Sequence, residues 1–167
     1  YHAGPVELRL GRQILTWGVG DLFFINDVFP KDWESFFSGR PVEYLKRGID
    51  AFRAQYSSEA LNVDLVATPF FRPDALPSPG RFVLYDPFPD IAGQRERRPP
   101  VRAENTEVAL RLYRHVSGFD VSLYGYRGFW RTPGIRSDSE NNSPGIVRFY
   151  PGLVVWGASA QRNWLQG

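Results

Sequence analysis

The sequence predicts an all-β fold, an antiparallel up-and-down meander of about six strands, each spelled out by alternating apolar and polar residues. Three observations point to it. Period-two alternation recurs along the chain while helical periodicity is scarce. Sixteen Gly and 14 Pro punctuate the alternating runs. The connections between runs alternate short and long without exception, so in a meander all short turns lie at one end and all long loops at the other.

The first strand spans 5–17, where Val6, Leu8 and Leu10 alternate with Glu7 and Arg9. The same parity puts Arg12 on the apolar face. Two solutions follow: Arg12 stays with the apolar residues, or Gly11 hosts a β-bulge that turns Arg12 and Thr16 to the polar side and Leu15 and Trp17 to the apolar one. The bulge is the preferred expectation. The long loop 18–47 follows, with "FPKDWESFF" and Pro30 set to start a short helix near 31–38.

Strands 48–56 and 61–69 are joined by Ser57-Ser58-Glu59-Ala60. Pairing Tyr56 with Leu61 places Ala54 and Phe52 with Val63 and Leu65 on one face, and Arg53 against Asp64 on the other. A one-residue slip would mix the faces, which fixes the parity. Loop 70–103 is Pro-rich and reads as largely irregular. Strands 104–114 and 119–128 flank the short 115–118 turn. Leu110, Leu112, Val121 and Leu123 share a face, and Glu107, Arg111, Tyr113, Asp120, Ser122, Tyr124 and Tyr126 share the other. Loop 129–145 ends in the polar tip "RSDSENNSPG", and the last strand runs over 146–161. The whole of 1–167 reads as one unit.

Composition narrows the function classes. The net charge of +2 gives no argument for a nucleic-acid partner. The absence of Cys removes disulfides, thiol catalysis and Cys-ligated metals, and with only two His no zinc site or other cofactor is expected. The chain has no Met and opens on Tyr1, so it is expected to be a piece of a longer product. No apolar run approaches the roughly 18 residues of a membrane helix, but spanning strands alternate and escape such a test.

Alternation does not say which face is inside; the residue types do. Opposed Arg and Asp with several Tyr make a costly dry core but an ordinary wet lumen. The other face, rich in Leu, Val, Phe and Ala, suits lipid. Trp17, Trp130 and Tyr56 fall near strand ends, where interfacial aromatic girdles sit. Outer-membrane barrels also sort short and long connections in this way. The expectation is therefore a segment of a transmembrane β-barrel, with Arg9, Arg53, Asp64, Glu107, Arg111, Tyr113, Asp120, Tyr124 and Tyr126 lining the pore. The alternative is a soluble barrel or sandwich that binds carbohydrate through Trp and Tyr.

The opening stretch "LRLGRQILTWGVGDLFFINDVFPKDW" resembles porin-like outer-membrane β-barrels of Gram-negative bacteria and, more loosely, alginate-export-type barrels. The resemblance rests on Gly11-Arg12-Gln13, then Trp17-Gly18, then the Asp27-Val28-Phe29-Pro30-Lys31-Asp32 loop, within about the first third of the chain. It implies passive outer-membrane transport of a small polar or anionic solute, with lipid and lipopolysaccharide as surroundings and no enzymatic activity. Because a closed barrel of this class needs about eight strands or more, the remaining strands of a larger barrel are expected partners.

Each candidate for chemistry has a plainer reading, preferred in most cases. Gly18-Val19-Gly20-Asp21 lacks the Lys-Ser/Thr of a phosphate loop and reads as a tight turn. Asp21, Asp27 and Asp32 share no calcium-loop spacing and read as loop caps. His115 at a short turn is a poor triad member. Glu7, Asp64, Glu107 and Asp120 could in principle supply a glycosidase pair, but Arg53 beside Asp64 favours its ionised form; an outer-membrane hydrolase is the least favoured reading. Arg9, Arg53, Arg111 and Arg148 are expected to converge on the polar face, either as a cationic strip that favours anions or as an ion-pair ladder. Arg127 and Arg131 lie at the long-loop end, where they meet solvent or lipopolysaccharide phosphates.

Overall fold

The structure, a computed structural model, describes residues 1–17, 27–77, 93–138 and 145–162. Gly18 and Asp21, and most of the two Pro- and Ser-rich loop tips, lie outside the described residues. Ten strands are present among them: β1 (His2–Ala3), β2 (Val6–Gln13), β3 (Ile49–Tyr56), β4 (Asn62–Thr68), β5 (Gly93–Arg97), β6 (Glu107–Val116), β7 (Phe119–Phe129), β8 (Gly134–Asp138), β9 (Gly145–Phe149) and β10 (Gly152–Gln161).

Seven strands form one antiparallel sheet in the order β1-β2-β3-β4-β6-β7-β10. Apart from the two-residue β1, they follow chain order, and β5, β8 and β9 lie within the long connections. The meander is as expected. A closed barrel is not seen: among the described residues β10 has one unpaired edge and β2 is covered only at Val6, Glu7 and Leu8, by residues 1–3. A second, three-stranded sheet at the long-loop end has β9 in the middle, parallel to β5 and antiparallel to β8. Alternation did not reveal β5 and β8 because "GQRER" and "GIRSD" are polar almost throughout; pairing with β9 makes them strands. The expected strand at 146–161 is two, broken at Pro151, which has no N–H to donate. Pro151 O instead accepts from Trp130 N at 2.9 Å.

Local chemistry explains the short ends. In the β6–β7 hairpin Ser117 and Gly118 both take positive φ, +51° and +82°, the two-residue turn whose twist matches the strands. The β3–β4 ladder pairs Tyr56 with Val63 and Gln55 with Asp64, two residues away from the expected register. A shift of two preserves every face, so the parity holds although the partners change. Ser58 Oγ accepts from Leu61 N at 3.1 Å, which lengthens the turn and accounts for the shift.

The expected bulge at Gly11 does not form. Gly11 takes φ +113°, a conformation other residues rarely adopt, yet the ladder runs on without a slip: Gly11 opposite Ala51, Arg12 opposite Asp50, Gln13 opposite Ile49. Arg12 therefore keeps the parity of Leu8 and Leu10. Its guanidinium grips Asp50 with two bonds, Nε to Oδ1 at 2.8 Å and Nη2 to Oδ2 at 2.7 Å.

A change of course after Gln13 relocates Trp17. Residues 14–17 leave the sheet edge and turn across its polar face, so Trp17 is buried rather than held in an outward girdle. It packs with Leu15, Phe29, Ile49, Ala51, Val66, Ala109, Tyr124 and Tyr126 as the core. Trp130 and Tyr56 are exposed as expected. The short helix α1 (Trp33–Phe37) falls inside the predicted 31–38, capped by Asp32, whose Oδ1 accepts from Ser35 N at 2.9 Å.

The outcome is a sheet that buries the polar face and exposes the apolar one. Asp64, Val66, Glu107 and Ala109, on the covered face, are 1–2% exposed. Leu10, Leu123, Val154 and Trp156, on the opposite face, are 87%, 54%, 63% and 79% exposed. Leu8, Val63, Leu110 and Leu112 lie between these extremes and share that outer face.

Candidate functional site

The covered face is built from alternate residues of six strands. β2 contributes Glu7, Arg9 and Gln13; β3 contributes Arg53 and Gln55; β4 contributes Asp64 and Thr68. β6 adds Glu107, Arg111 and Tyr113, β7 adds Asp120, Ser122, Tyr124 and Tyr126, and β10 adds Ser159 and Gln161. All nine residues expected to line a pore have this parity. They do not share one environment. Arg9 and Asp120 are exposed, whereas Asp64, Glu107, Tyr124 and Tyr126 are buried beneath residues 14–17 and 27–31.

At the middle of the face Asp64 is the hub. Arg53 Nε and Nη2 grip its two oxygens at 2.8 and 2.6 Å, and Trp17 Nε1 donates to Oδ2 at 3.0 Å. A carboxylate at 1% exposure is tolerable only with this many donors. Arg53 reaches Asp64 diagonally across the β3–β4 ladder, since the residue directly opposite is Val66. Trp17 thus enters the site by its indole N–H, a role its place near a strand end did not suggest. Ring contacts seat it: Phe29 lies edge-on at 5.1 Å and Tyr124 at 6.0 Å.

Toward the long loops a second hub forms on Glu107. Arg131 Nη1 donates to Oε2 at 3.0 Å and the Tyr126 hydroxyl to Oε1 at 2.8 Å. Arg131 also donates to the carbonyls of Val28 and Arg72, both at 3.1 Å, so one guanidinium ties three loops to the sheet. It is partly buried in this role and is not the outward residue expected. A Cβ at Gly128 would collide with the Tyr126 hydroxyl, which makes glycine a condition of the Tyr126–Glu107 bond.

The covering segment has its own pair. Lys31 Nζ lies 3.0 Å from Asp27 Oδ2 and donates to Phe29 O at 2.6 Å. Burial pushes the Lys31 ammonium below its ordinary pKa, and the Asp27 carboxylate opposes that shift. Asp27 further accepts from Thr16 Oγ1 at 3.1 Å and from Phe29 N at 3.2 Å. Asp27 and Asp32 are therefore loop caps, as expected. Pro30 is fully buried beside them.

No family model, curated protein or solved structure matches this chain. The site must be read from its own chemistry.

Every carboxylate weighed for acid–base work has a basic side chain within hydrogen-bond distance. Glu7 meets Arg9 at 2.8 Å, Asp64 meets Arg53 at 2.6 Å, Glu107 meets Arg131 at 3.0 Å and Asp120 meets His115 at 2.8 Å. Among the described residues no group of three or more His, Asp or Glu is placed to hold a metal ion. Arg148 is not part of this face: it sits in β9 and donates to Gln94 Oε1 at 3.0 Å. The expected ladder of ion pairs is real at Arg53–Asp64. Arg111 differs from Arg9 and Arg53 on the same face, with no carboxylate within ion-pair distance among the described residues. Its Nε and Nη2 donate to Ser122 Oγ at 3.3 and 3.0 Å, and its Cζ lies 4.5 Å from the Tyr113 ring centroid and 5.5 Å from that of Tyr124.

Proposed function

We propose that this chain forms part of an outer-membrane, porin-like β-barrel that passes small polar or anionic solutes and catalyses no reaction. One observation carries the reading: the sheet exposes its Leu, Val, Phe and Trp face and covers its Arg, Asp, Glu and Tyr face. In water such a contiguous apolar face is an aggregation or binding surface. In a bilayer it is the required exterior, and the polar face becomes the lumen. Strands β6, β7 and β10, of ten, eleven and ten residues, have the length of a crossing of about nine to eleven tilted residues; β2 and β3 have eight and β4 seven. The resemblance of "LGRQILTWG" to porin-like barrels agrees with this reading.

Under it, residues 14–17 and 27–31 are an inward constriction that narrows the lumen. Solutes pass the Arg9, Arg53 and Arg111 side of the face; Arg9 and Arg53 are balanced by Glu7 and Asp64, and Arg111 is the fixed cation that favours anions. Arg127, exposed on the outer face near the long-loop end, meets lipopolysaccharide phosphates. The unpaired edges of β2 and β10 pair with further strands of the barrel, since an open edge is not tolerated in lipid. The soluble carbohydrate-binding alternative requires the Leu8, Leu65 and Leu123 face to converge on a core; Leu65 and Leu123 are instead exposed.

The test is conductance of the full-length protein across a planar bilayer. Discrete channel steps with anion preference are expected, and replacing Arg9 and Arg111 together with Ser should shift the preference toward cations. Absence of steps in correctly inserted protein would remove the channel reading. An unchanged ion preference in the double variant would remove the cationic lumen.

A further inference from the structure

The short-turn end of the covered face holds a cavity of about 360 Å³, within the range of small-molecule sites. Arg111, Tyr113, Asp120, Ser122, Ser159 and Gln161 are among its lining residues. We propose that this cavity is a binding site for a small monocarboxylate, gripped end-on by Arg111. As a solute site of the channel it rests on the preceding reading; as a binding site it rests on the geometry of Arg111 alone.

Four features of that geometry select the ligand. First, Arg111 is a half-buried cation without an acid. Asp64 stands directly opposite in the ladder but is committed to Arg53 and Trp17. Second, the guanidinium is held in place before any ligand arrives. Ser122 Oγ accepts from Nε and Nη2, and Ser122 is itself buried. Tyr113 and Tyr124 flank the group at cation–π distance. Tyr124 is fixed in turn through its hydroxyl, 3.0 Å from Ser159 Oγ. Third, with the Nε side turned to Ser122, the Nη1–Nη2 edge has no acceptor among the described residues. That edge presents two parallel N–H groups, the fork that matches the two oxygens of a carboxylate. Lysine, a point charge, would not reproduce it.

Fourth, the surrounding charges set the valence. The cavity is lined by a single carboxylate, Asp120, which has His115 Nδ1 at 2.8 Å; Arg114 has the parity of Val121 on the opposite face, so Arg111 is the guanidinium that this face turns to a ligand. One negative charge balances it. A dianion such as hydrogen phosphate would place its second charge in the same cavity as Asp120. Asn62, Ser159 and Gln161 supply hydroxyl and amide groups for a hydroxyl or second oxygen on the solute body.

The experiment is saturation-transfer NMR on the full-length protein in detergent micelles, with lactate as probe, lactamide as its neutral analogue and inorganic phosphate as competitor. Lactate should bind at least tenfold more tightly than lactamide. Arg111→Lys, which keeps the charge, should weaken lactate at least tenfold, and Asp120→Asn should tighten it. Equal binding of lactate and lactamide, unchanged binding in Arg111→Lys, or displacement of lactate by phosphate at lower concentration than by acetate would each overturn the proposal. Strand content of each variant, read by circular dichroism, separates loss of the fork from loss of fold. Asp120→Asn leaves Arg111 untouched and keeps the site testable if the Arg111 variant misfolds. Lactate binding without conductance would leave this site standing and remove the channel; conductance without lactate binding would do the reverse.

Discussion

Placing an arginine at Leu123 tests the inverted sheet most directly. Leu123 lies on the outer face of β7, between Leu112 of β6 and Ala158 of β10, and is 54% exposed. It stands four residues from Phe119, the short-turn end of the strand. At about 3.3 Å per residue that is roughly 13 Å along the strand, or about 10 Å of height at a tilt near 40°. An apolar band about 25 Å tall has its midplane at roughly 12 Å, so Leu123 sits close to it. An arginine there should cost about 2–4 kcal/mol in a bilayer. Val121 and Phe119 lie on the same face, progressively nearer the interface, where the cost falls toward about 0–1 kcal/mol. On a face wetted by water all three substitutions would stay within about 0.5 kcal/mol. Denaturant unfolding of full-length Leu123→Arg, Val121→Arg and Phe119→Arg in phospholipid vesicles reads the series. A graded loss, largest at 123, is expected; three equal values within about 0.5 kcal/mol would refute the argument.

Three further outcomes follow from the site. Arg131→Ala leaves Glu107 buried with only the Tyr126 hydroxyl, and should destabilise by about 3–5 kcal/mol; a loss under about 1 kcal/mol in equilibrium unfolding would mean the three loops do not depend on that guanidinium. Arg12 and Asp50 are a directly opposed, exposed pair, so a double-mutant cycle with Arg12→Ala and Asp50→Ala should give a weak coupling that high salt removes; a strong coupling that survives high salt would place the pair away from water. Glu96 is held below its usual pKa of 4.5 first by the hydrogen bond from Arg98 and also by that from Tyr150. Its contribution to the second sheet is therefore present above about pH 4.5 and is lost as pH falls through the lower folded value; amide exchange over 93–98, corrected for its intrinsic pH dependence, should rise on acidification in that window and not in Glu96→Gln.

What the sequence disclosed depended on how local the signal was. Alternation at Val6–Leu10, Phe52–Tyr56 and Leu110–Leu112 specified the faces, and the faces survived even where the β3–β4 register was off by two. Asp32 as a cap and the helix over 33–37 were legible because both are contained in a few residues. Trp17 was not. Its burial follows from where 14–17 turns after Gln13, and no periodicity encodes a change of direction. Arg131 was misplaced for the same reason: a charge in a loop reads as solvated until a buried carboxylate, here Glu107 on a different strand, is brought beneath it. β5 and β8 stayed hidden because their residues are polar almost throughout and only the β9 backbone makes them strands.

Arg12 links these points. A bulge at Gly11 would have moved a charge off the apolar face, but it would also have broken pairing with β3 beside an edge already short of partners. Glycine instead absorbs an unusual φ within an intact ladder, and Asp50 directly opposite neutralises the charge where it stands. Strand direction does not depend on it: all six long strands of the meander alternate, so β2 and β10 run antiparallel to each other. Strands added between them must then come in even number to keep every neighbour antiparallel. That parity is what bacterial outer-membrane barrels require. One bulge would leave the count unchanged but flip the face of everything beyond it on β2, setting Arg12 inward and Gln13 outward. The unbroken ladder at 12 and 50 therefore keeps one face parity along the whole of β2, with Asp50 opposite the one charge that this parity leaves beside Leu8 and Leu10.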